Sequence, residues 1–175
     1  EHMLICKELN LKGMTFLYPK RSIFSTYFDT AQFQVFFDSE EGSLPRKKFR
    51  IRHYPNDADT NHVFEIKISS NEGRYKSVEV PNLPKNLNQQ EYTALLKNGY
   101  LDNQYGNVFP VVNIQYEREY FLLDKTRITF DTNIMYQSYS QSSWIKEEWC
   151  VMEIKTDISV SMDFLSKLVP VPRRR

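Results

Sequence analysis

The segment RKKFRIRHY, residues 46–54, alternates basic with apolar side chains in the way that a β-strand requires. Phe49 and Ile51 would share one face of this strand and pack on a core, because successive side chains of a strand point to opposite faces. The opposite face would be almost entirely basic, so the fold must place either water or an anion against it. This basic face would carry Arg46, Lys48, Arg50 and Arg52.

The same alternation recurs in four later segments, at residues 62–69, 111–123, 126–134 and 148–157. A single half-exposed strand would be ordinary, because antiparallel sheets often leave one polar face in water. Repetition along most of the strands, with arginine dominant, instead favours a sheet closed into a barrel with its charged side chains inside. The polar face of these segments would carry Glu65, Lys67, Tyr116, Arg118, Tyr120, Arg127, Thr129, Asp131, Glu153 and Lys155.

The remaining segments predict a mixture of strands and helices. Residues 22–30 and 74–80 have strand patterns, residues 38–45 have turn chemistry, and residues 4–20 predict a helix that runs into a loop. The clearest helix covers 87–100, with Asn88 as its cap and Gly99 at its end, and a closing helix is predicted at 159–168. These elements predict an α+β fold with a mostly antiparallel sheet.

The net charge limits which anions the chain could attract over long distances. The sequence has 23 Lys and Arg against 22 Asp and Glu, a formal charge of +1, so any cationic function must come from local clustering. Generic RNA binding predicts a higher charge, and no apolar run approaches the roughly 20 residues of a membrane span. Two cysteines without a disulfide or zinc spacing fit a reducing, cytoplasmic setting. The length of 175 residues fits one domain, or two small ones at most.

Cations crowded inside a barrel would repel each other and lose hydration, so a polyanion is the natural occupant. Arginine suits phosphate because its planar fork can bind two oxygens at once. Glu65, Asp131 and Glu153 could either pair with the cations or hold Mg²⁺ or Mn²⁺. For Glu65 the sequence favours neither role over the other.

Six segments together resemble the VTC domain, the polyphosphate polymerase domain of the vacuolar transporter chaperone complex and its bacterial relatives. They occur in the order and near the spacing of that family, a branch of the CYTH-like triphosphate tunnel metalloenzymes, and the likeness runs from about residue 4 to 175. The chain resembles a bacterial member of this family. The segments are RSIFSTYFDT, RKKFRIRHY, FEIKIS, NIQYEREYF, RITFDTNI and VMEIKTD.

The resemblance implies an eight-stranded antiparallel β-barrel and transfer of the ATP γ-phosphate onto inorganic polyphosphate with Mn²⁺ or Mg²⁺. It implies a metal-binding role for Glu153, and Tyr116 would either donate to phosphate or pack in the tunnel wall. The catalytic set would be Arg50, Arg52, Lys67, Arg118 and Arg127. The substrate-binding set would be Lys48, placed there by its strand face, with Lys76, Tyr116 and Lys155.

Two motifs of the family are not found in the sequence: an E-R-K-Y-like first strand and a closing S-K-Y or S-K-F segment. The chain is therefore expected to be one VTC-like domain over residues 1–175 that is trimmed at both ends. Two other functions stay open: a triphosphate hydrolase of the same superfamily, and a non-catalytic module that binds polyphosphate. The expected partners are ATP and inorganic polyphosphate, and the oligomeric state is left open.

Overall fold

A long antiparallel sheet dominates the fold in the computed structural model, which describes residues 2–55, 62–77 and 83–156. The helices are α1 (His2–Leu11), α2 (Gln34–Glu41) and α3 (Gln89–Asn98). The strands are β1 (Thr15–Asp29), β2 (Arg46–His53), β3 (Val63–Ser70), β4 (Gly73–Ser77), β5 (Tyr100–Asp102), β6 (Gly106–Leu123), β7 (Thr126–Ser138), β8 (Ile145–Lys146) and β9 (Val151–Lys155). The helix predicted at 159–168 lies outside the described residues.

The strands pair in the order β4-β3-β2-β1-β6-β7, and every pairing is antiparallel. The outer edge of β7 pairs with β8 near one end and with β9 near the other, while β5 pairs with β6. The prediction of an α+β fold with an antiparallel sheet is confirmed. Within the described ranges, no helix is long and apolar enough to cross a bilayer.

The sheet curls so strongly that its two outer parts face each other. Four strands separate β3 from β9, a distance of roughly 24 Å across a flat sheet. Yet Lys67 on β3 interacts electrostatically with Glu153 and Lys155 on β9. A curled, trough-like sheet of this kind fits the tunnel that the sequence predicts.

The predicted closed barrel needs a correction, because no ladder joins β4 to β9 in the part of the chain that the structure describes. The described sheet is therefore open, with a trough where the prediction places a tunnel.

Apolar side chains cover the convex side of the sheet in two clusters. One lies beneath α2 and α3 and contains Phe28, Val35, Phe49, Ile51, Phe64, Ile66, Leu87, Leu95 and Val108. The other lies beneath α1 and contains Leu9, Met14, Phe121, Leu123, Ile128 and Phe130. Because all three helices cover the convex side, the alternate side chains of the strands are left facing into the trough.

Helix α3 begins and ends at the residues that the sequence marks. The Asn88 side chain accepts a hydrogen bond from the Glu91 backbone N–H at 2.9 Å, and the Glu91 carboxylate accepts one from the Asn88 N–H at 2.8 Å. Gly99 follows with φ of 74°, and a Cβ there would lie 2.5 Å from the Val108 carbonyl oxygen. The predicted helix is confirmed with narrower bounds.

Candidate functional site

The concave face of the sheet consists of the side chains that point away from the two apolar clusters. The register places Arg50 opposite both Tyr27 and Glu65, and places Arg118 opposite Arg21 and Asp131. Arg and Lys from six strands thereby share one surface. This face comprises Arg21, Ser25, Tyr27, Arg46, Lys48, Arg50, Arg52, Glu65, Lys67, Tyr116, Arg118, Tyr120, Arg127, Thr129, Asp131, Glu153 and Lys155.

Arg50 is held in place by groups on both neighbouring strands. Its Nε and Nη2 atoms each lie 2.6 Å from Oε2 of Glu65, and Nη1 donates to the Tyr27 hydroxyl at 3.1 Å. The Glu65 side chain is only 6% exposed, so this pair is largely shielded from water. Of the two roles left open for Glu65, the structure shows the pairing with arginine.

Arg118 forms a bidentate pair with Asp131 across the β6–β7 ladder. Its Nε and Nη2 donate to the two carboxylate oxygens, both at 2.6 Å. Burial alone would lower the pKa of Arg118, but the Asp131 hydrogen bonds and the nearby Tyr116 and Asp131 raise it. The guanidinium also lies 5.2 Å from the centre of the Tyr116 ring. Asp131 is therefore committed to orienting Arg118.

Four buried side-chain atoms lack a hydrogen-bond partner in the described part of the chain, and all four belong to the concave face. They are Ser25 Oγ, Arg46 Nε, Arg52 Nε and Thr129 Oγ1. Each of these groups can donate a hydrogen bond. Buried polar groups are normally satisfied, so these four atoms mark places where the concave face packs polar groups without pairing them.

Three lysines form a row across one part of the sheet, because Lys67 lies opposite Lys48 on β2 and opposite Lys76 on β4. Partial burial lowers the pKa of Lys67. Glu153 opposes this shift, whereas Lys155, Arg50 and Lys48 add to it. A bound anion would relieve this repulsion between like charges.

The β9 edge carries the remaining predicted residues. Glu153 lies opposite Thr129, its carboxylate is 3.2 Å from the Lys155 ammonium, and its side chain is 43% exposed. Arg127 is exposed and lies opposite Lys155. The structure thus brings Arg50, Arg52, Tyr116 and Arg118 together in the middle of the concave face, and places Arg127, Glu153 and Lys155 along its edge.

Of the three carboxylates that the sequence offers as possible metal ligands, only Glu153 stays available for a metal ion. Glu65 and Asp131 are engaged by arginines, and no group of three or more His, Cys, Asp or Glu side chains suited to a metal occurs among the described residues. Mg²⁺ often binds through one or two carboxylates, with waters and substrate phosphates completing its shell. Glu153 fits that mode of binding.

Arg21 is a residue of the concave face that the alternation pattern does not predict. It lies opposite Arg118, and its guanidinium is 5.6 Å from the centre of the Tyr54 ring. Arg21 keeps the period of two with Ser25 and Tyr27, but Ile23 between them is apolar and buried, so the polar alternation does not extend back to Arg21. The signals in the sequence are the basic pair in YPKR and the position of Arg21 at the start of the RSIFSTYFDT segment.

An apolar groove lies elsewhere, along the outer surface of α1, and only Lys7 among its lining residues is charged. Because α1 covers the convex side of the sheet, this groove is separated from the cationic face.

Comparisons with known proteins give a family and a similar fold. The family model for the VTC domain matches residues 12–169, which is most of the chain. A solved structure from Vibrio parahaemolyticus, described as a candidate adenylate cyclase, is 11% identical and has a TM-score of 0.51. The match covers 97% of this chain and 79% of that one, and at this identity it shows the fold alone. No curated protein matches the chain. By the extent of the family match, this chain belongs to the VTC domain family.

Proposed function

We propose that the chain is a metal-dependent polyphosphate polymerase, which transfers the γ-phosphate of ATP onto the end of an inorganic polyphosphate chain. One observation carries this proposal: arginines and lysines from six strands share the concave face, where Lys155, Arg50 and Lys48 repel the Lys67 ammonium. A phosphate chain is polyanionic at neutral pH and its oxygens accept hydrogen bonds, so it matches a face rich in positively charged donors. Membership of the VTC domain family supports the same reaction class.

Three arginines would hold the reacting triphosphate. Arg50 and Arg118 are oriented by their carboxylate partners, and each keeps further N–H donors for a ligand. The buried Nε of Arg52 donates no hydrogen bond to any residue in the part of the chain that the structure describes. Arg127, at the exposed edge, would add charge where the chain enters or leaves.

The lysines would line the path of the phosphate chain. Lys48 and Lys67 are neighbours across β2 and β3, and Lys155 lies on the facing edge. Lysine binds phosphate as a point charge without a fixed fork, which suits a polymer that must move forward after each addition. Lys76 would extend this row by its register with Lys67.

Phosphoryl transfer needs alignment and positive charge more than covalent help from the protein. A terminal oxygen of polyphosphate attacks the γ-phosphorus, the bond to the oxygen that bridges the β and γ phosphorus atoms breaks, and ADP leaves. Because the acceptor oxygen is already anionic, no strong general base is required. Arg50, Arg52 and Arg118 would stabilise the charge that develops on the transferred group.

Glu153 is the residue proposed to hold the metal ion, together with phosphate oxygens and water. The ion, Mn²⁺ or Mg²⁺, would neutralise charge on the phosphates. The carboxylate is accessible from the concave face, and its present partner is the partly exposed Lys155. Tyr116 lies among Arg52, Arg118 and Asp131, so it could donate to a bound phosphate from that position.

A non-catalytic polyphosphate-binding module is the second candidate. The observation that favours it is the engagement of Glu65 and Asp131 by arginines, which leaves Glu153 as the available carboxylate within the described ranges. Such a module would bind phosphate chains without metal dependence and without turnover.

The decisive experiment incubates the purified chain with ATP and Mn²⁺ and separates the products on a polyacrylamide gel stained for polyphosphate. The proposal predicts long chains that require the metal and are absent in EDTA. Orthophosphate as the sole phosphate product would indicate hydrolysis instead. Triphosphate binding without any turnover would indicate the binding module.

A further inference from the structure

Two helices on the convex side of the sheet expose apolar faces. The first is on α2, and we use the name α2 face for Phe33, Phe36, Phe37, Glu40 and Glu41. At about 100° per residue these positions share one side of the helix, opposite the buried Val35. The three phenylalanines are 50%, 53% and 49% exposed in chain order, and both glutamates are exposed. The α2 face is therefore apolar where the helix begins and acidic where it ends.

Phe33 has a backbone conformation that phenylalanine rarely adopts. Its φ of 58° lies in the left-handed region, where a bulky side chain is uncommon. The residue is half exposed, so burial in the core does not offset this strain. Residues held in this way cluster at ligand-binding and switch regions, which agrees with a contact on the α2 face.

The second face is on α1 and carries the opposite charge. We use the name α1 face for Met3, Leu4, Lys7 and Leu11, which line the apolar groove of this helix. Met3 and Leu11 are each 82% exposed, and Leu4 is 67% exposed. Lys7 is the one charged residue among those that line the groove. The stem of a lysine can cover apolar surface while its ammonium reaches a carboxylate.

Neither face is suited to a second copy of itself. Two α2 faces would bring glutamates together or place them on phenylalanine rings, and α2 carries no Lys or Arg to compensate. Two α1 faces would place the Lys7 ammonium groups of both copies close together. An α1 face on an α2 face instead combines six apolar side chains with one ammonium and two carboxylates. Both burial and charge therefore favour the unlike pair.

The two faces lie at opposite ends of the long β1–β6 ladder. Helix α1 covers Phe121, which lies opposite Phe16 near the start of β1. Helix α2 begins just after the far end of β1, where the Asp29 carboxylate accepts from its first turn. Because β1 has 15 residues, roughly 45 Å along the strand separates its ends at about 3.3 Å per residue. A contact between an α1 face and an α2 face therefore joins two copies.

We propose that the α1 face of one copy docks on the α2 face of a second copy. Because the two faces differ, the contact is heterologous, and copies add head to tail into a chain unless the rotation closes a ring. Six apolar side chains make a contact at the small end of specific interfaces, so the expected dissociation constant is on the order of 10–100 µM. This inference concerns the convex side and does not depend on the proposed function of the trough.

Sedimentation velocity of the wild-type chain between roughly 5 and 500 µM tests the association, and the weight-average mass should rise above that of the monomer across this range. Leu4→Glu and Phe37→Glu should each raise the dissociation constant at least about tenfold, because a carboxylate then enters an apolar contact that already holds two glutamates. Ile145→Glu is the matched control and should associate like wild type, because Ile145 is 65% exposed on β8 and lies outside both faces.

Mixing the two variants distinguishes the pairing of unlike faces from a general apolar attraction. The α2 face is intact in Leu4→Glu, and the α1 face is intact in Phe37→Glu. An equimolar mixture should therefore form one-to-one dimers, and no larger species, at concentrations where each variant alone is monomeric. Both substitutions are at exposed positions, and Leu4 lies in the first turn of α1, where a carboxylate suits the helix dipole. Circular dichroism excludes a folding defect.

Three results would overturn the inference. A wild-type chain that stays monomeric up to roughly 500 µM would remove the contact. Association that persists in Leu4→Glu or Phe37→Glu, or a mixture that stays monomeric, would show that these two faces do not pair. A monomeric wild type that sediments with phosphatidylglycerol vesicles, while Leu4→Glu does not, would assign the α1 face to a lipid surface instead.

Discussion

Arg52 on β2 lies directly opposite Ser25 on β1, and each of these residues buries a donor that has no partner in the described part of the chain. A buried polar group left without a hydrogen bond typically costs about 1–3 kcal/mol. Two such groups side by side therefore reduce the stability of the fold. Along β1, Ser25 lies between Tyr27, which is opposite Arg50, and Arg21, which is opposite Arg118, so the pair lies in the middle of the proposed phosphate site.

Replacing Arg52 should separate binding from stability. Arg52→Met removes an unsatisfied donor and a charge from a cationic face, so the free energy of unfolding should stay within about 1 kcal/mol of wild type. Turnover and tripolyphosphate affinity should fall at least about tenfold, because charge-assisted bonds to phosphate are lost. Urea unfolding and titration calorimetry measure the two effects.

Lys20→Met is the matched control for Arg52→Met, because Lys20 is exposed and pairs with Glu117 rather than with residues of the concave face. It should leave tripolyphosphate affinity unchanged. Equal losses of affinity in the two variants would mean that the concave face contributes only general charge.

The Arg118–Asp131 pair should behave as one unit in a double-mutant cycle. Arg118→Met alone leaves a buried carboxylate without its partner and should lower the free energy of unfolding by about 3 kcal/mol. The double variant Arg118→Met/Asp131→Leu should recover a large part of that loss, because neither charge is then left unpaired. Additive losses in urea unfolding would show that the two residues are not coupled.

Glu153→Gln should alter the response to metal and leave anion binding intact. The amide keeps the shape of the side chain but lacks the negative charge that Mn²⁺ requires. The Mn²⁺ concentration for half-maximal turnover should rise at least about tenfold, whereas tripolyphosphate affinity in EDTA should not fall. Glu148→Gln, in an exposed position just before β9, is the control. The same metal requirement in both variants would argue against Glu153 as a ligand.

Acid should destabilise the protein through His53. Burial, and to a lesser extent His62, lowers the pKa of His53 from 6.5 to about 4, and the two rings lie 4.7 Å apart. The unfolded chain binds a proton below pH 6.5 that the folded protein accepts only near pH 4, so stability is lost as pH falls through this window. After allowance for solvent screening at a half-buried side chain, the loss is about 1 kcal/mol.

His53→Phe removes this titration and keeps a ring against Phe24, which His53 contacts at 4.8 Å. Urea unfolding at pH 7 and pH 5 should show a smaller loss of stability in the variant than in wild type. An identical loss in both proteins would mean that other groups account for the pH dependence.

The sequence predicts the regular part of the fold because those strands follow a strict period of two. Phe49 and Ile51 are buried while Arg50 and Arg52 face the trough, as the alternation of β2 requires. The hairpin between β6 and β7 is confirmed as well, with Asp124 and Lys125 at its turn. Local capping chemistry likewise locates α3.

Two elements depend on tertiary contacts, so the sequence pattern does not predict them. Residues 38–45 predict a turn, but α2 extends to Glu41, and its first turn is held by the Asp29 carboxylate, which accepts from the Val35 and Phe36 N–H groups at 2.9 Å. Asp29 lies six residues before Val35, so no local capping motif reveals this helix.

The prediction of a helix that runs into a loop over residues 4–20 agrees with the structure up to Met14 and is wrong from Thr15, because β1 begins there and pairs with β6. Arg21 is missed for another reason: Ile23, which lies between Arg21 and Ser25 on the same face, is apolar and buried. The predicted roles of the site residues stay predictions, which the variants above test.

The most direct test of the phosphate site is a calorimetric titration of the wild-type protein with tripolyphosphate at low and physiological salt, repeated with Arg52→Met and Lys20→Met. A site on the concave face predicts saturable binding that weakens with salt, persists in Lys20→Met and is lost in Arg52→Met. Absence of binding to wild type, or equal binding by all three proteins, would contradict the assignment of the concave face as a phosphate site.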